Sequence, residues 1–305
     1  MPYQRSIDRT RSKRRIRLLI GFSAIIMLLF TTMVVYQSRQ AYLQALKSGE
    51  DDARRLTRIL SEHVELTFLG ADLALRRAIE RQYMNSMFGG TIPQYMEQNF
   101  RMWLNETPQI AAMALVDAHG TVAAAAQKPG YERWLDYLKS AQGAKLFGYM
   151  RDTDDGVVFV GRQSTKDSPP LILMSRRYSL LNGEFGGIVL TAIDPEYFIH
   201  FYQAAAFGTV KFMALTLGDG TALAEGPASS GATDAVVRRL AMERRSALPA
   251  EMVEGTYTHT YTTAEGLHIA AGRLLQNMPV LVTVILSEHD VLTGWRQFRA
   301  RDAGF

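Results

Sequence analysis

The feature that most constrains this chain is an uncharged stretch near its N-terminus, Leu18–Tyr36. As an α-helix its 19 residues would span about 28 Å, close to the roughly 30 Å hydrocarbon core of a bilayer. Residues 1–17 carry seven basic groups and one acidic group. Positively charged flanks stay in the cytoplasm. We therefore predict a cytoplasmic arm over 1–17, an inner-membrane helix over 18–36 and an extracytoplasmic location for the rest.

A cleaved signal peptide is the alternative explanation of this stretch. The apolar region of a signal peptide usually spans about 7–15 residues and is followed by a small-x-small cleavage site. Leu18–Tyr36 is longer, and the residues at 34–39, Val-Val-Tyr-Gln-Ser-Arg, offer no such site. The sequence therefore favours an uncleaved, single-pass signal anchor.

The basic pI of 9.2 comes from the N-terminal arm and not from a folded basic surface. Outside residues 1–17 the chain carries 27 basic and 29 acidic groups. This distribution argues against nucleic acid as a partner. The chain has no cysteine, which excludes disulfides, thiolate metal sites and cysteine nucleophiles.

A long helix is predicted to follow the membrane segment, and we assign 37–87 to it as a stalk. No proline occurs between residue 37 and Met84, and apolar or small residues recur in helical steps of three, four and seven. They are Leu46, Ala53, Leu56, Leu60, Val64, Phe68, Ala71, Leu75 and Ile79. We expect this stripe to pack on the chain's own domains and, in its membrane-proximal half, on a second copy. Packing within one chain alone is the alternative.

After the stalk, one order of elements occurs twice: a strand, a tight turn, a returning strand, a helix and further antiparallel strands. The first round has strands at Ala112–Val116, Thr121–Ala126, Leu146–Arg151, Val157–Arg162, Leu171–Tyr178 and Gly187–Ile193, with a helix at Tyr131–Gln142. The second has strands at Phe212–Leu217, Thr221–Ala224, Tyr257–Thr262, His268–Leu274 and Val280–Leu286, with a helix at Thr233–Ser246. A short amphipathic helix, with Met96, Phe100, Trp103 and Leu104 inward, precedes both.

These two rounds define the predicted domain organisation. A membrane-distal unit covers 88–203, a membrane-proximal unit covers 204–288, and a C-terminal helix over 289–305 leads back toward the membrane. Runs of antiparallel strands with helices beside them place the fold in the α+β class.

Four stretches, in their order along the chain, are similar to the double-Cache sensory regions of bacterial histidine kinases, diguanylate cyclases and chemoreceptors. They are ARRLTRILSEHVELTFLGADLALRRA (53–78), MALVDAHGTVAA (113–124), LMSRRYSLLNGEFGGIVLTAIDPEYF (173–198) and LHIAAGRLLQNMPVLVTVILSEHDVLTGWR (267–296). The resemblance implies two tandem PAS-like antiparallel-sheet units attached to one long helix outside the membrane. It also implies that the chain senses a small ligand. A homodimer is predicted from the stalk and not from the resemblance.

The sequence departs from that family at its C-terminal side. It reaches Phe305 without a second apolar span, a GGDEF motif, a kinase core or a chemoreceptor hairpin. We therefore expect the output domain to be absent from this chain. A fragment, a truncated product, and a sensor that signals through a cytoplasmic or membrane partner all stay open.

The resemblance places the ligand in the distal unit. Amino-acid-binding members carry a tyrosine, then arginine and tryptophan, then a further tyrosine and aspartates. Tyr131, Arg133, Trp134, Tyr149 and Asp194 are the matching residues in this sequence. The expected aspartate two residues after the second tyrosine is replaced by an arginine, which favours an anionic ligand such as a carboxylate.

Strand alternation extends this set. In Leu171–Tyr178, Ser175 and Arg177 share one face, and Arg176 shares the other with Tyr178. We expect the face of Arg177 to line the pocket, because a buried arginine needs a carboxylate partner. The predicted ligand-binding residues are Arg133, Trp134, Tyr149, Arg151, Ser175, Arg177 and Asp194. The structural alternatives are a helix N-cap for Asp194, core packing for Trp134 and surface ion pairs for the arginines.

The sequence has no HExxH, GxSxG, GxGxxG or phosphate-loop motif, so neither a cofactor nor an enzymatic activity is predicted. The leading hypothesis is the small-ligand sensing module of a membrane-bound receptor. A membrane-tethered interaction or assembly module is the alternative, and an extracytoplasmic enzyme is the third hypothesis. A polar pocket in the distal unit would favour sensing, whereas a filled core beside an exposed apolar patch would favour assembly.

Overall fold

A computed structural model describes residues 4–87, 93–154, 156, 158–165, 168–205, 210–226, 255–263, 266–276, 278–287 and 291–293 of the chain. It divides into two compact units, one formed by Met1–Gly49 with Glu288–Phe305 and the other by Glu50–Ser287. The long helix α1 (Gln4–Met87) contributes residues to both.

In the first unit, α1 carries the predicted membrane segment. Its side chains from Leu18 to Tyr36 are exposed, and the most apolar window of the helix has a mean hydropathy of 2.5 with none of it buried. By length and composition this stretch can cross a membrane.

In the second unit, α1 buries the predicted apolar stripe. Ala53, Leu60, Val64, Phe68 and Leu75 are all fully buried. The expectation that this stripe packs on the chain's own domains is therefore confirmed for Glu50–Met87.

The unit Glu50–Ser287 contains two antiparallel sheets, as the sequence predicts. Each has five strands, whereas the sequence predicted six for the first. The first consists of β1 (Ile110–Asp117), β2 (Val122–Gln127), β3 (Phe159–Thr165), β4 (Ser168–Ser179) and β5 (Phe185–Ile193), in the order β2-β1-β5-β4-β3. The second consists of β6 (Val210–Leu217), β7 (Ala222–Gly226), β8 (Thr256–Thr263), β9 (Gly266–Leu274) and β10 (Val280–Ser287), in the order β7-β6-β10-β9-β8. The two orders are the same permutation, which is the structural counterpart of the repeat in the sequence.

Three further α-helices pack against the sheets or connect them: α2 (Pro93–Glu106), α3 (Ala141–Asp152) and α4 (Pro195–Ala205). The buried side chains of α2 include Met96, Phe100, Trp103 and Leu104, as its 3/4 spacing predicts. Asp194 caps α4, since its Oδ1 accepts a hydrogen bond of 2.9 Å from the backbone N–H of Glu196.

One predicted strand is wrong. Leu146–Arg151 lies inside α3, and the predicted helix Tyr131–Gln142 is a 3₁₀ helix, Trp134–Lys139, that ends before α3 begins. Ser140 starts α3, because its Oγ accepts a hydrogen bond from the N–H of Gly143. A Cβ at Gly143 would lie 2.2 Å from the carbonyl oxygen of Tyr137, so only glycine allows the two helices to meet this closely. The predicted helices Thr233–Ser246 and 289–305 lie outside the described residues, except for 291–293.

A buried ion pair fixes α1 to the first sheet. The guanidinium of Arg176, on β4, contacts both carboxylate oxygens of Asp72, on α1, and its Nη2 lies 3.0 Å from Oδ2. Arg76 donates to the same Oδ2 at 3.0 Å. Burial by itself raises the pKa of Asp72, but the two arginines outweigh burial and hold that pKa below its ordinary value.

We predict that Asp72→Asn lowers the free energy of unfolding by about 3 kcal/mol at neutral pH, because it leaves Arg176 buried without its counter-charge. A lowered native-state pKa stabilises the fold above the ordinary aspartate value, and this stabilisation is lost as pH falls through the native-state pKa. The difference between wild type and Asp72→Asn should therefore shrink below about pH 4. Denaturant unfolding from pH 7 to pH 2 measures it.

Asp52→Asn is the matched control, because Asp52 is exposed and its ion pair with Arg55 spans 3.7 Å at the surface. We expect a change within about 0.5 kcal/mol. A difference for Asp72→Asn that stays constant across the acid range would contradict the role assigned to this pair.

Candidate functional site

The first sheet has one face covered by the 3₁₀ helix and α3, here called the covered face. Leu171, Leu173, Ile188 and Leu190 of this face pack in one buried cluster with Trp134, Tyr137, Leu146 and Met150 from the helices. Ser175 and Arg177 follow Leu171 and Leu173 at alternate positions of β4, so they point to the same face. Arg176 lies on the opposite face, where it binds Asp72. The predicted alternation of β4 side chains between the two faces of the sheet is thus confirmed, and a pocket on the side of Arg177 stays a prediction.

Ser175 is a buried polar group on the covered face. It is fully buried, and its Oγ has no hydrogen-bond partner among the described residues. A buried hydroxyl without a partner is costly, and such groups are uncommon in native structures. This position can therefore donate to or accept from a molecule that enters the covered face.

Arg177 supplies the positive charge at this face. Its Nη1 donates a hydrogen bond of 2.6 Å to the carbonyl oxygen of Arg151, and its Nε lies 3.2 Å from Oδ2 of Asp154. The Nε contact is an ion pair without the geometry of a hydrogen bond. The guanidinium carbon lies 5.0 Å from the ring centroid of Phe185, within the range of a cation–π contact.

Four aromatic rings lie next to Arg177 or Ser175, directly or through a neighbouring ring, and we call them the aromatic rim: Phe147, Tyr149, Phe159 and Phe185. The centroids of Phe147 and Phe185 are 5.6 Å apart, and those of Tyr149 and Phe159 are 6.1 Å apart. Phe159 is the cross-strand partner of Ser175. Tyr149 is 50% exposed and the other three rings are partly exposed, so the rim offers apolar surface beside a guanidinium.

Trp134 lies deeper in the same cluster, 1% exposed, and its Nε1 has no hydrogen-bond partner among the described residues. Gln163 of β3 lies beside it, because its Nε2 donates to the carbonyl oxygen of Trp134 at 3.1 Å. The Oε1 of Gln163 is buried and has no partner within the described part of the chain. One donor and one acceptor are thus unpaired beneath the 3₁₀ helix.

The remaining predicted site residues do not join this group. The side chain of Arg133 is 61% exposed and pairs with Asp136. The guanidinium of Arg151 is exposed and pairs with Asp152, so only its backbone carbonyl reaches Arg177. Arg151 lies in the last turn of α3 and not in the predicted strand Leu146–Arg151, so its side chain does not follow the alternation of a strand.

Asp194 belongs to a different location. Its Oδ2 accepts a hydrogen bond of 2.5 Å from the hydroxyl of Tyr131. Burial first, and then this bond and the charge of Asp194, raise the pKa of Tyr131 well above its ordinary value, so the phenol stays protonated and donates. Asp194 also lines a cleft of about 240 Å³ together with Arg162, Glu196, Ile199 and Glu225. Three carboxylates and one guanidinium make this cleft predominantly acidic.

Sequence reasoning missed Asp154, Gln163 and three rings of the aromatic rim. Asp154 lies in a run of acidic residues whose partner is set by the return of the chain from α3 to β3, and no local signal identifies that partner. Phe159 had a structural signal in Gly161, where a Cβ would lie 2.6 Å from the Phe159 ring. No group of three or more His, Asp or Glu side chains able to hold a metal ion occurs among the described residues.

Comparison with solved structures identifies the fold. The structure is similar to the extracellular domain of the candidate histidine kinase rpHK1S-Z16, with 24% sequence identity, a TM-score of 0.61, and coverage of 82% of this chain and 99% of that one. It is also similar to the ligand-binding domain of the Campylobacter jejuni chemoreceptor Tlp3 in complex with L-norvaline, with 13% identity, a TM-score of 0.51, and coverage of 82% and 95%. The ligand-binding domain of the Pseudomonas aeruginosa PAO1 amino acid chemoreceptor PctC in complex with GABA matches with 11% identity, a TM-score of 0.51, and coverage of 78% and 99%.

No protein-family model matches the chain, and no curated protein matches its sequence. The structural likeness confirms the fold that the resemblance implied, that of the extracellular sensory regions of histidine kinases and chemoreceptors. The apolar N-terminal helix and these neighbours together fit a membrane-anchored receptor.

We predict that Ser175→Ala raises the free energy of unfolding by about 1 kcal/mol, because it removes a buried hydroxyl that has no partner. Thr191→Val should do the same, since Thr191 is fully buried on the opposite face of the sheet with its Oγ1 equally unpaired. Denaturant unfolding of each variant against wild type measures the change.

Thr107→Val is the control, because Thr107 Oγ1 donates a hydrogen bond of 2.6 Å to the carbonyl oxygen of Trp103. Its loss should lower stability by about 1 kcal/mol. A loss of stability in Ser175→Ala as large as that in Thr107→Val would mean that the Ser175 hydroxyl is paired in the protein.

Proposed function

We propose that this chain is the small-ligand sensing module of a membrane-bound signal-transduction receptor, with its ligand site on the covered face of the first sheet. The observation that carries the proposal is that Arg177 shares a strand face with Ser175, whose fully buried hydroxyl has no hydrogen-bond partner among the described residues, beside a partly exposed aromatic rim. The fold shared with extracellular sensory domains supports it.

The chemistry of this site favours a carboxylate with an apolar body. A guanidinium presents donors in a fork that matches the two oxygens of a carboxylate. The rings of Phe159 and Phe185 would cover an aliphatic or aromatic group on the same molecule. Ser175 would add one hydrogen bond at the carboxylate or close to it.

The solved neighbours carry amino acids and GABA in their names. Asp194, the candidate partner for an amine, binds Tyr131 and lines the acidic cleft instead of the covered face. We therefore propose a monocarboxylate in preference to a zwitterion.

The test uses the full chain in detergent micelles. Thermal unfolding is followed with acetate, butyrate, benzoate and phenylacetate, each beside its neutral amide, and with simple amines. A ligand that binds only the folded state at one hundred times its dissociation constant adds about 2.7 kcal/mol of stability. A shift with an acid and none with its amide supports the proposal; equal shifts, or none, contradict it.

We predict that Arg177→Gln weakens binding of the best carboxylate by at least about tenfold, because truncating one partner of a desolvated charge pair costs about 2 kcal/mol or more. Arg133→Gln is the control, since it removes an exposed arginine from a surface ion pair and should leave affinity unchanged. Isothermal titration of both variants gives the ratio. Equal affinity in Arg177→Gln and wild type would remove Arg177 from the site.

We also propose that α1 carries a homodimer contact outside the stripe that it buries. Ile59, Leu66 and Leu73 recur every seven residues, with Leu69 between them, and these four side chains are 48–68% exposed. Seven-residue spacing with an intermediate apolar position is typical of a helix–helix seam. Two copies anchored by the same N-terminal helix would meet in parallel, and anchoring would raise their effective concentration. This seam is separate from the one that the sequence predicts in the membrane-proximal half of the stalk, which stays a prediction.

We predict that Leu66→Glu lowers dimer affinity of the full chain by at least about tenfold, because a charge would enter an apolar seam. Leu181→Glu is the control, since Leu181 is 61% exposed on the β4–β5 turn, far in sequence from α1. Analytical ultracentrifugation in detergent measures both. A strictly monomeric wild type, or equal effects of the two substitutions, would contradict the seam.

The proposed topology places residues 1–17 in the cytoplasm, 18–36 in the inner membrane and 37–305 outside, with the signal passed to an output domain or partner. The membrane-distal and membrane-proximal units are proposed to cover 88–203 and 204–288. The assembly module remains the second candidate function, and the exposed seam on α1 is the observation that favours it. We propose no catalytic activity for this chain.

A further inference from the structure

Two consecutive arginines of β4 reach opposite faces of the first sheet. Arg177 lies on the covered face, and Arg176 binds both carboxylate oxygens of Asp72 on α1. Neither side chain is open to water, with exposures of 16% for Arg177 and 14% for Arg176. The dipeptide therefore links the proposed ligand site to the long helix through adjacent backbone atoms.

Both arginines also hold the short connection between α3 and β3. Arg177 binds the carbonyl oxygen of Arg151 and pairs with Asp154, while Nη1 of Arg176 donates a hydrogen bond of 2.6 Å to the carbonyl oxygen of Gly156. Asp154 and Gly156 are two residues apart, yet the arginines that they contact lie on opposite faces of the sheet.

Asp154 occupies the place on Arg177 that a ligand carboxylate needs. Arginine has five N–H donors, and a carboxylate is best bound by the Nε–Nη2 edge or by the two Nη groups. In this structure the carboxylate of Asp154 lies beside Nε of Arg177, and the carbonyl oxygen of Arg151 accepts a hydrogen bond from Nη1 of Arg177. An incoming carboxylate must therefore displace Asp154 to use the Nε edge.

The contact between Asp154 and Arg177 is weak enough for a ligand carboxylate to replace it. The Asp154 side chain is 64% exposed, and its contact with Nε lacks the geometry of a hydrogen bond. An ion pair with one exposed partner is weak, so a desolvated ligand carboxylate with apolar contacts can compete with it. The Asp72–Arg176 pair, in contrast, is bidentate and buried.

We infer that Asp154 is an internal competitor for the carboxylate site on Arg177, and that its displacement is passed through Gly156 and Arg176 to Asp72 on the long helix. This inference rests on the proposed function for the identity of the ligand, but the link between Asp154 and Asp72 exists with or without a ligand. Coupling between two sites requires an element whose state both of them bias. The contact of Asp154 with Arg177 and that of Gly156 with Arg176 are the two described ends of this element.

The competitor role is tested by titrating benzoate into the full chain in detergent micelles. Asp154→Asn should bind benzoate roughly two- to fivefold more tightly than wild type, the factor that corresponds to loss of an exposed ion pair. Asp152→Asn is the matched control: Asp152 is also exposed and two residues away, but it pairs with Arg151 and not with Arg177. Equal affinities in wild type, Asp152→Asn and Asp154→Asn would overturn the competitor role.

The transmission to α1 is tested without any ligand, by a double-mutant cycle on the unfolding equilibrium of the full chain. Asp154 and Asp72 share no contact, so independent effects should multiply within about twofold. We expect Asp154→Asn and Asp72→Asn to depart from independence by at least about threefold, and Asp152→Asn with Asp72→Asn to be independent. Independence of both pairs would overturn the transmission. If Asp72→Asn does not fold, Asp72→Glu, which keeps the charge but moves the carboxylate, takes its place.

The two arms separate failure of this inference from failure of the proposed function. If benzoate and the other carboxylates bind neither wild type nor Asp154→Asn, the carboxylate function fails and the competitor role fails with it. The cycle then still decides whether Asp154 and Asp72 are coupled. If benzoate binds and the cycle shows independence, the proposed carboxylate-sensing function is supported, and the transmission from Asp154 to Asp72 is rejected.

Discussion

Both sheets of the unit Glu50–Ser287 depend on one face of α1. The first sheet is tied to it by the buried pair of Asp72 and Arg176, and the second by Thr57, whose Oγ1 lies 3.4 Å from the carbonyl oxygen of Ala271. Arg54 adds a hydrogen bond of 2.8 Å to Thr258. Side chains of Ala, Leu, Val and Phe fill the stripe between these polar contacts, and their burial is the main stabilising contribution. A helix that carries two sheets is the element through which a change in either sheet can be passed on.

The covered face of the first sheet combines stability with unpaired polar groups. Its apolar cluster is closely packed, yet Ser175, Gln163 and Trp134 each place an unpaired polar atom within it. A sequence selected for stability alone would replace these groups with apolar ones of similar volume, because unpaired buried groups cost about 1–3 kcal/mol each. Such groups also occur on the opposite face, at Thr191, so it is Arg177 and the aromatic rim beside Ser175 that are the physical reason for treating the covered face as a binding site. Among the described residues that line the acidic cleft around Asp194, no buried side-chain atom is unpaired.

Much of the fold could be predicted because its signals are local. Apolar spacing along α1, the turns at Asp117–Gly120 and Asn182–Gly183, and alternation in β4 each depend on residues within a few positions. The error at Leu146–Arg151 has a physical cause: a short apolar run fits a strand or one buried side of a helix equally well. This segment is helical because the hydrogen bond from Gly143 to Ser140 and the packing of Gly143 on Tyr137 start α3 just before it.

The sequence by itself determined the long helix, the apolar N-terminal segment and the order of elements that occurs twice along the chain. It also determined that Arg176 and Arg177 point in opposite directions. Local spacing and turn signals are enough to set each of these. Only the tertiary structure decided which carboxylate each arginine meets. Asp72 is 104 residues from Arg176, and Tyr131 is 63 residues from Asp194. Partners so distant in sequence are chosen by how sheets and helices pack, and no local pattern encodes that choice. The same packing placed Asp154 on Arg177 and removed the Arg151 guanidinium from the site.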